Sequence, residues 1–136
     1  MESSAPCSPP ERVSSSKPDL ARGLDLKALR GASKARRQFF GDADAHALSY
    51  WSNATLGELG EAANIIKKIE RGDFPLDFKR EDLAKEFADT LIYLDIMCEE
   101  AGINLSQAVV DKFNEVSDLV NAPIRLERDH WIEKIT

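Results

Sequence analysis

Two pairs of carboxylates interrupt apolar helical sequence near the middle of this chain. They are Glu58 and Glu61 in LGELGEA, and Glu86 and Asp89 in KEFADTLIYL. The i, i+3 spacing within each pair sets both carboxylates side by side on one helix face. Carboxylates that close repel, and beside a core they also lose hydration. A hard divalent cation between them removes both penalties. Mg²⁺ prefers carboxylate oxygen, keeps several waters and bridges to substrate phosphates, with Mn²⁺ as the substitute for an all-oxygen set. A di-iron site takes two Glu-x-x-His pairs, and the only histidines, His46 and His130, do not supply them.

A lone E-x-x-E is better explained as a solvated acidic face. The second pair resists that explanation, because from Leu83 to Cys98 the only charges are Lys85, Glu86, Asp89 and Asp95. Two carboxylates buried there without compensation would cost several kcal/mol per ion, on the order of magnitude known for buried charges.

These residues must be positioned by helices. A first helix is expected over 24–40, ended by Gly41 and Asp42. A second runs over 43–71 with an apolar stripe of Leu48, Trp51, Thr55, Leu59, Ala62, Ile66 and Ile69. Gly72 ends it, and GDFPLDFKR reads as a loop. A third helix over 80–101 carries Leu83, Phe87, Leu91, Leu94 and Met97, and its apolar circumference marks it as central. Asn104 and Gln107 resemble a capping box opening a fourth helix over 104–120, which Pro123 stops. IRLERDHWIEKIT is ambiguous, with a short docked arm as one reading. No strand pattern competes, so the fold class is all-α, a four-to-five-helix bundle.

At about 100° per residue, each carboxylate pair falls on the border of its helix's apolar stripe, in the same sense. An antiparallel hairpin would therefore bring all four together. Beside Glu61 runs a strip of Asn53, Gly57, Gly60, Asn64 and Lys68. Glycine inside a helix costs about 1 kcal/mol relative to alanine, so Gly57 and Gly60 call for close helix packing or for a ligand at the backbone. Asn64 and Lys68 on the same strip favour the ligand, with Lys68 placed to meet a phosphate. Trp51 or Tyr50 could stack on a base, although both also read as ordinary core aromatics.

The chain has 136 residues, 43% of them hydrophobic and 31% charged, and a net charge of −6. This composition fits one soluble domain over 21–136 behind a disordered Pro/Ser-rich tail over 1–20. The acidic balance argues against nucleic acid and anionic membranes as partners. No apolar run is long enough to span a bilayer. One basic cluster, Lys27, Arg30, Lys34, Arg36 and Arg37, is either a solvated face or a patch meeting phosphate or a partner. With only Cys7 and Cys98, and no apolar leader at the N-terminus, a cytoplasmic protein without a structural disulfide is expected.

Glu58-x-x-Glu61, 24 residues, then Glu86-x-x-Asp89 resembles the signature of MazG-like nucleoside triphosphate pyrophosphohydrolases. The likeness continues through LGELGEAANIIKK, EFADTLIYLDIM and AVVDKFNEVSD, and covers roughly 50–125. The resemblance implies a helical fold completed by dimerisation, as a homodimer or homotetramer. It also implies cleavage of a nucleoside triphosphate to the monophosphate and pyrophosphate. Glu58, Glu61, Glu86 and Asp89 would then hold Mg²⁺, with Glu58 or Glu61 as general base. Lys68, Asn64, Tyr93, Lys112, Asn114 and Trp51 would contact the nucleotide. Some relatives carry Asn or Arg four residues after the position of Lys112, where this chain has Val116. Alternatives are a dUTPase-like or dCTPase-like member of the same superfamily, and a non-catalytic nucleotide-sensing or interaction module.

Overall fold

The computed structural model describes residues 23–40, 46–127 and 131–133. The expected disordered tail, Cys7, and the break at Gly41 and Asp42 lie outside the described residues.

Helix α1 spans Leu26–Arg37. Its N-cap, Asp25, accepts a hydrogen bond from the Lys27 amide, and Lys34, Arg36 and Arg37 complement the dipole at its C-terminal end. Helix α2 spans Leu48–Glu70, and α3 spans Leu76–Glu100. The segment expected to be a loop before Arg80 is therefore largely helix. Pro75 sits at the N-cap of α3, where its missing N–H costs no intrahelical bond, and Asp77 in the first turn favours the positive helix end. Gly72 and Gly102 follow α2 and α3 with φ of 82° and 69°, a region that favours glycine at helix ends. Helix α4 spans Leu105–Leu119. Its Asn104 cap accepts from the Gln107 amide, while the Gln107 side chain turns forward to Asp111 instead of closing a capping box.

The ambiguous C-terminal stretch adds strands that the sequence pattern did not suggest. Strand β1, Ile124–Leu126, pairs antiparallel with β2, Trp131–Glu133. At three residues each they are too short to show a period. Asn114 docks β1 onto α4, donating from Nδ2 to the Leu126 carbonyl and accepting the Leu126 amide at Oδ1. Arg125 adds a bond to the Asn114 carbonyl and an ion pair with Asp118. The molecule is otherwise helical, as expected.

Helix α3 is central, with α2 along one side and α1 and α4 against it. Among the described residues the buried hydrophobic side chains are Trp51, Ala62, Ile96 and Cys98. The expected stripe on α2 is split. Trp51 and Ala62 are buried, Thr55 and Ile69 half-buried, but Leu48, Leu59 and Ile66 are exposed. On α3, Leu83, Leu94 and Met97 are half-buried, whereas Phe87 and Leu91 are exposed. A two-helix hairpin covers only one flank of each stripe, and no described element of the chain covers the other. Val109, Phe113, Val116 and Val120 make a similar exposed line on α4. None of the described helices is long and apolar enough to cross a membrane.

Two arginines of α1 clasp the C-terminal end of α3. Arg30 donates from Nη2 to Asp95 Oδ1 at 2.7 Å and to the Asp95 carbonyl at 3.2 Å, and from Nη1 to the Ile103 carbonyl at 3.0 Å. Arg37, two turns later, lies 2.7 Å from Glu100 and 3.8 Å from Glu99. Part of the basic cluster thus serves the fold itself.

Candidate active site

The antiparallel packing of α2 on α3 brings the two carboxylate pairs together, as their wheel positions require. Glu58 and Glu86 are half-buried, and Glu61 and Asp89 are exposed. Burial raises the Glu58 pKa above the ordinary carboxylate value, and a hydrogen bond with Glu86 and the charges of Asp89, Glu61 and Glu86 raise it further. Among the described residues no three of these side chains close into a metal-ligand set.

Asp89 also lines a cavity of about 260 Å³ between α1, α2 and α3. Its walls are mainly aromatic and basic. The rings of His46 and Tyr50 stack with centroids 3.9 Å apart, and each meets Trp51 edge-on, at 5.6 and 5.0 Å. Tyr93 lies 6.2 Å from Trp51. The Arg37 guanidinium stands 5.1 Å from the Trp51 ring centroid, and Arg36 lies 5.9 Å from that of Phe40. Burial pushes the Tyr93 phenol up, as does the negative charge of Glu58, which ties the aromatic wall to the carboxylates.

The remaining candidates fall in different places. Asn64 is exposed and Lys68 half-buried on the strip beside Glu61. A Cβ built at Gly57 or Gly60 meets nothing within 4 Å beyond the helix itself. Close helix packing within the described chain therefore does not explain these glycines. Lys112 and Asn114 are not brought to the carboxylates. Helix α4 packs chiefly against β1, α1 and α3, Lys112 pairs with Glu115 at 2.6 Å, and both ends of the Asn114 amide are engaged by Leu126.

Sequence reasoning missed Ser33, Arg36, Arg37, Phe40 and His46 as walls of the cavity. Two signals were present. Arg36 and Arg37 stood in the flagged basic cluster, and His46 precedes Tyr50 by four residues, the spacing of side-chain neighbours on one helix face. What assigns them to one cavity is the position of α1, which has no local signature. Comparison with known protein families, with curated proteins and with solved structures found no match.

Proposed function

We propose that this chain is a Mg²⁺-dependent nucleoside triphosphate pyrophosphohydrolase, converting a (deoxy)nucleoside triphosphate to the monophosphate and pyrophosphate. The observation that carries the reading is the meeting of Glu58 with Glu61, Glu86 and Asp89, each of which pushes its pKa up, beside an aromatic cavity that shares Asp89. Four acids gathered in this way fit a hard cation, because the cation relieves their mutual repulsion.

Glu58, Glu61, Glu86 and Asp89 hold the metal in this reading. When bound, Mg²⁺ supplies neutralisation of phosphate oxygens and a more acidic coordinated water. Glu58 or Glu61 takes the proton of the attacking water. The base rests in the cavity against Trp51 and Tyr50, with Tyr93 at the sugar. The phosphates run along the glycine strip, where the missing side chains leave the backbone open. Lys68 lies about 10 Å along the helix from Glu61, given 1.5 Å per residue, and Asn64 stands between them. Lys112 joins only by leaving Glu115, and Asn114 keeps its structural bonds.

A homodimer or homotetramer belongs to the same proposal. The uncovered faces of α2, α3 and α4 are larger than the scattered apolar residues that a monomer tolerates. Sedimentation at micromolar concentration should show an oligomer, and a monomer would remove this part.

The test is release of pyrophosphate and monophosphate from a panel of NTPs and dNTPs with Mg²⁺. Glu61→Gln and Asp89→Asn are run alongside. Turnover that requires Mg²⁺ and fails in both variants supports the enzyme, and the panel separates a broad enzyme from a dUTPase-like or dCTPase-like one. Mg²⁺-dependent binding without turnover would make it a sensor.

A further inference from the structure

Trp51 is 95% buried (5% exposed), yet its indole Nε1–H has no hydrogen-bond acceptor among the described residues. A buried donor left without a partner is costly and rare in folded proteins. The surroundings of this one are built rather than incidental. Trp51 lines the cavity, the Arg37 guanidinium stands over its ring at 5.1 Å, and Glu100 holds that guanidinium at 2.7 Å. Besides joining Arg30 in clasping α3, Arg37 thus lies against the indole and restrains its plane.

We propose that Trp51 is the specificity-determining residue of this cavity and that Arg37 is its positioning residue. This rests on the nucleotide reading above. The indole N–H reads an acceptor on the edge of the bound base, a carbonyl oxygen or an unprotonated ring nitrogen. The atom is covered in the free chain, so the acceptor arrives with a shift of neighbouring side chains. Phe40, Tyr50 and Arg36 are exposed and His46 half-buried, so these walls can move at little cost. The hydrogen bond missing from the free protein is then made only with a base that brings an acceptor to the right place. Discrimination follows, because a base without it leaves the donor orphaned. A serine or threonine in place of Trp51 would carry a donor without the rigid plane that Arg37 holds.

The experiment compares wild type with Trp51→Phe, which keeps a ring but loses the N–H, and with Arg37→Lys and Arg37→Met. Each is assayed on the nucleotide panel, with a folding check by thermal melt. For the preferred nucleotide, Trp51→Phe should lower kcat/KM roughly tenfold through KM, as expected for one lost hydrogen bond to a buried donor. The poorest nucleotides should change little, so the spread between bases shrinks. Arg37→Met should shrink the spread likewise, and Arg37→Lys, which restores the charge, should recover part of it.

A deaza analogue of the preferred base, lacking one ring acceptor, is then tried on wild type. It should bind about as weakly as the parent nucleotide binds Trp51→Phe, and it should lose nothing further in that variant. This arm stands even if a variant folds poorly. An unchanged spread in a folded Trp51→Phe, or full wild-type binding of every deaza and deoxo analogue, overturns the inference and leaves the hydrolase reading intact. No turnover of any nucleotide by wild type removes the hydrolase reading instead. Quenching of Trp51 fluorescence by nucleoside monophosphates then decides the pocket separately, and its absence overturns the inference too.

Discussion

Replacing Arg30 by methionine should destabilise the protein strongly, because Asp95 is 1% exposed and Arg30 is its ion-pair partner. The pair is made at 2.7 Å, with a longer Nε contact at 3.4 Å to the other carboxylate oxygen. Removing one partner of a buried pair leaves an uncompensated charge at a cost of about 3–5 kcal/mol. The Arg30 side chain is 26% exposed, so water reaches that end and the cost should sit near 3 kcal/mol. For a domain of about 100 residues, this lowers Tm by roughly 12 °C. Asp95→Asn should be milder, about 1.5–3 kcal/mol. Arg30 then keeps the carbonyls of Ile103 and of residue 95. Arg30→Met combined with Asp95→Leu should recover most of the loss, since an apolar pair can replace a buried ionic one. The assay is thermal and urea denaturation at one fixed protein concentration, because an oligomer makes Tm concentration-dependent. A loss below about 1 kcal/mol in Arg30→Met would place the pair in the surface class and refute the clasp. The consequence reaches the cavity. Ser33, Arg36 and Arg37 ride on α1, so the Arg30→Met protein should also bind nucleotide more weakly.

Three further outcomes follow from the same structure. The Glu58 pKa is raised in the fold, so its contribution to stability is fully present below the ordinary carboxyl range and is lost as pH rises through the raised value. In melts with chelator, Tm should fall across that window, added Mg²⁺ should offset the fall, and Glu58→Gln should abolish both responses. Asn114→Ala removes two bonds to Leu126; hydrogen exchange at the Leu126 amide should accelerate sharply, with stability reduced by about 1–3 kcal/mol. Gly57→Ala meets open space, so stability should rise by about 1 kcal/mol while KM for the triphosphate increases, and an unchanged KM would remove the glycine strip from the phosphate path.

The helices and the pairing of the carboxylates were legible in the sequence, because both depend on a local period. The i, i+3 spacing of Glu58 with Glu61, and of Glu86 with Asp89, survives any rigid placement of two helices. The capping role of Asn104 and the helix end at Gly72 were legible from residue type alone. Pro75 was read as loop but starts α3, because a proline that breaks a helix from inside suits its first turn. The stripes of α2 and α3 marked apolar surface correctly but did not say what covers it. Leu59, Ile66, Phe87 and Leu91 belong to those stripes and remain exposed in one chain. Asn114 shows the limit most plainly. It sits in a helix with the residue type of a ligand contact, and only the docked strand β1, twelve residues later in sequence, reveals where its amide bonds go. The cavity was legible as single aromatics and single arginines, never as one site, since its walls come from three helices.

The most direct test of the central claim is the identity of the products, followed by phosphorus NMR, from the best nucleotide triphosphate with Mg²⁺ for wild type and Glu86→Gln. The account predicts equimolar pyrophosphate and nucleoside monophosphate from wild type and neither from the variant. Orthophosphate with the diphosphate, or equal pyrophosphate release by Glu86→Gln, would contradict it.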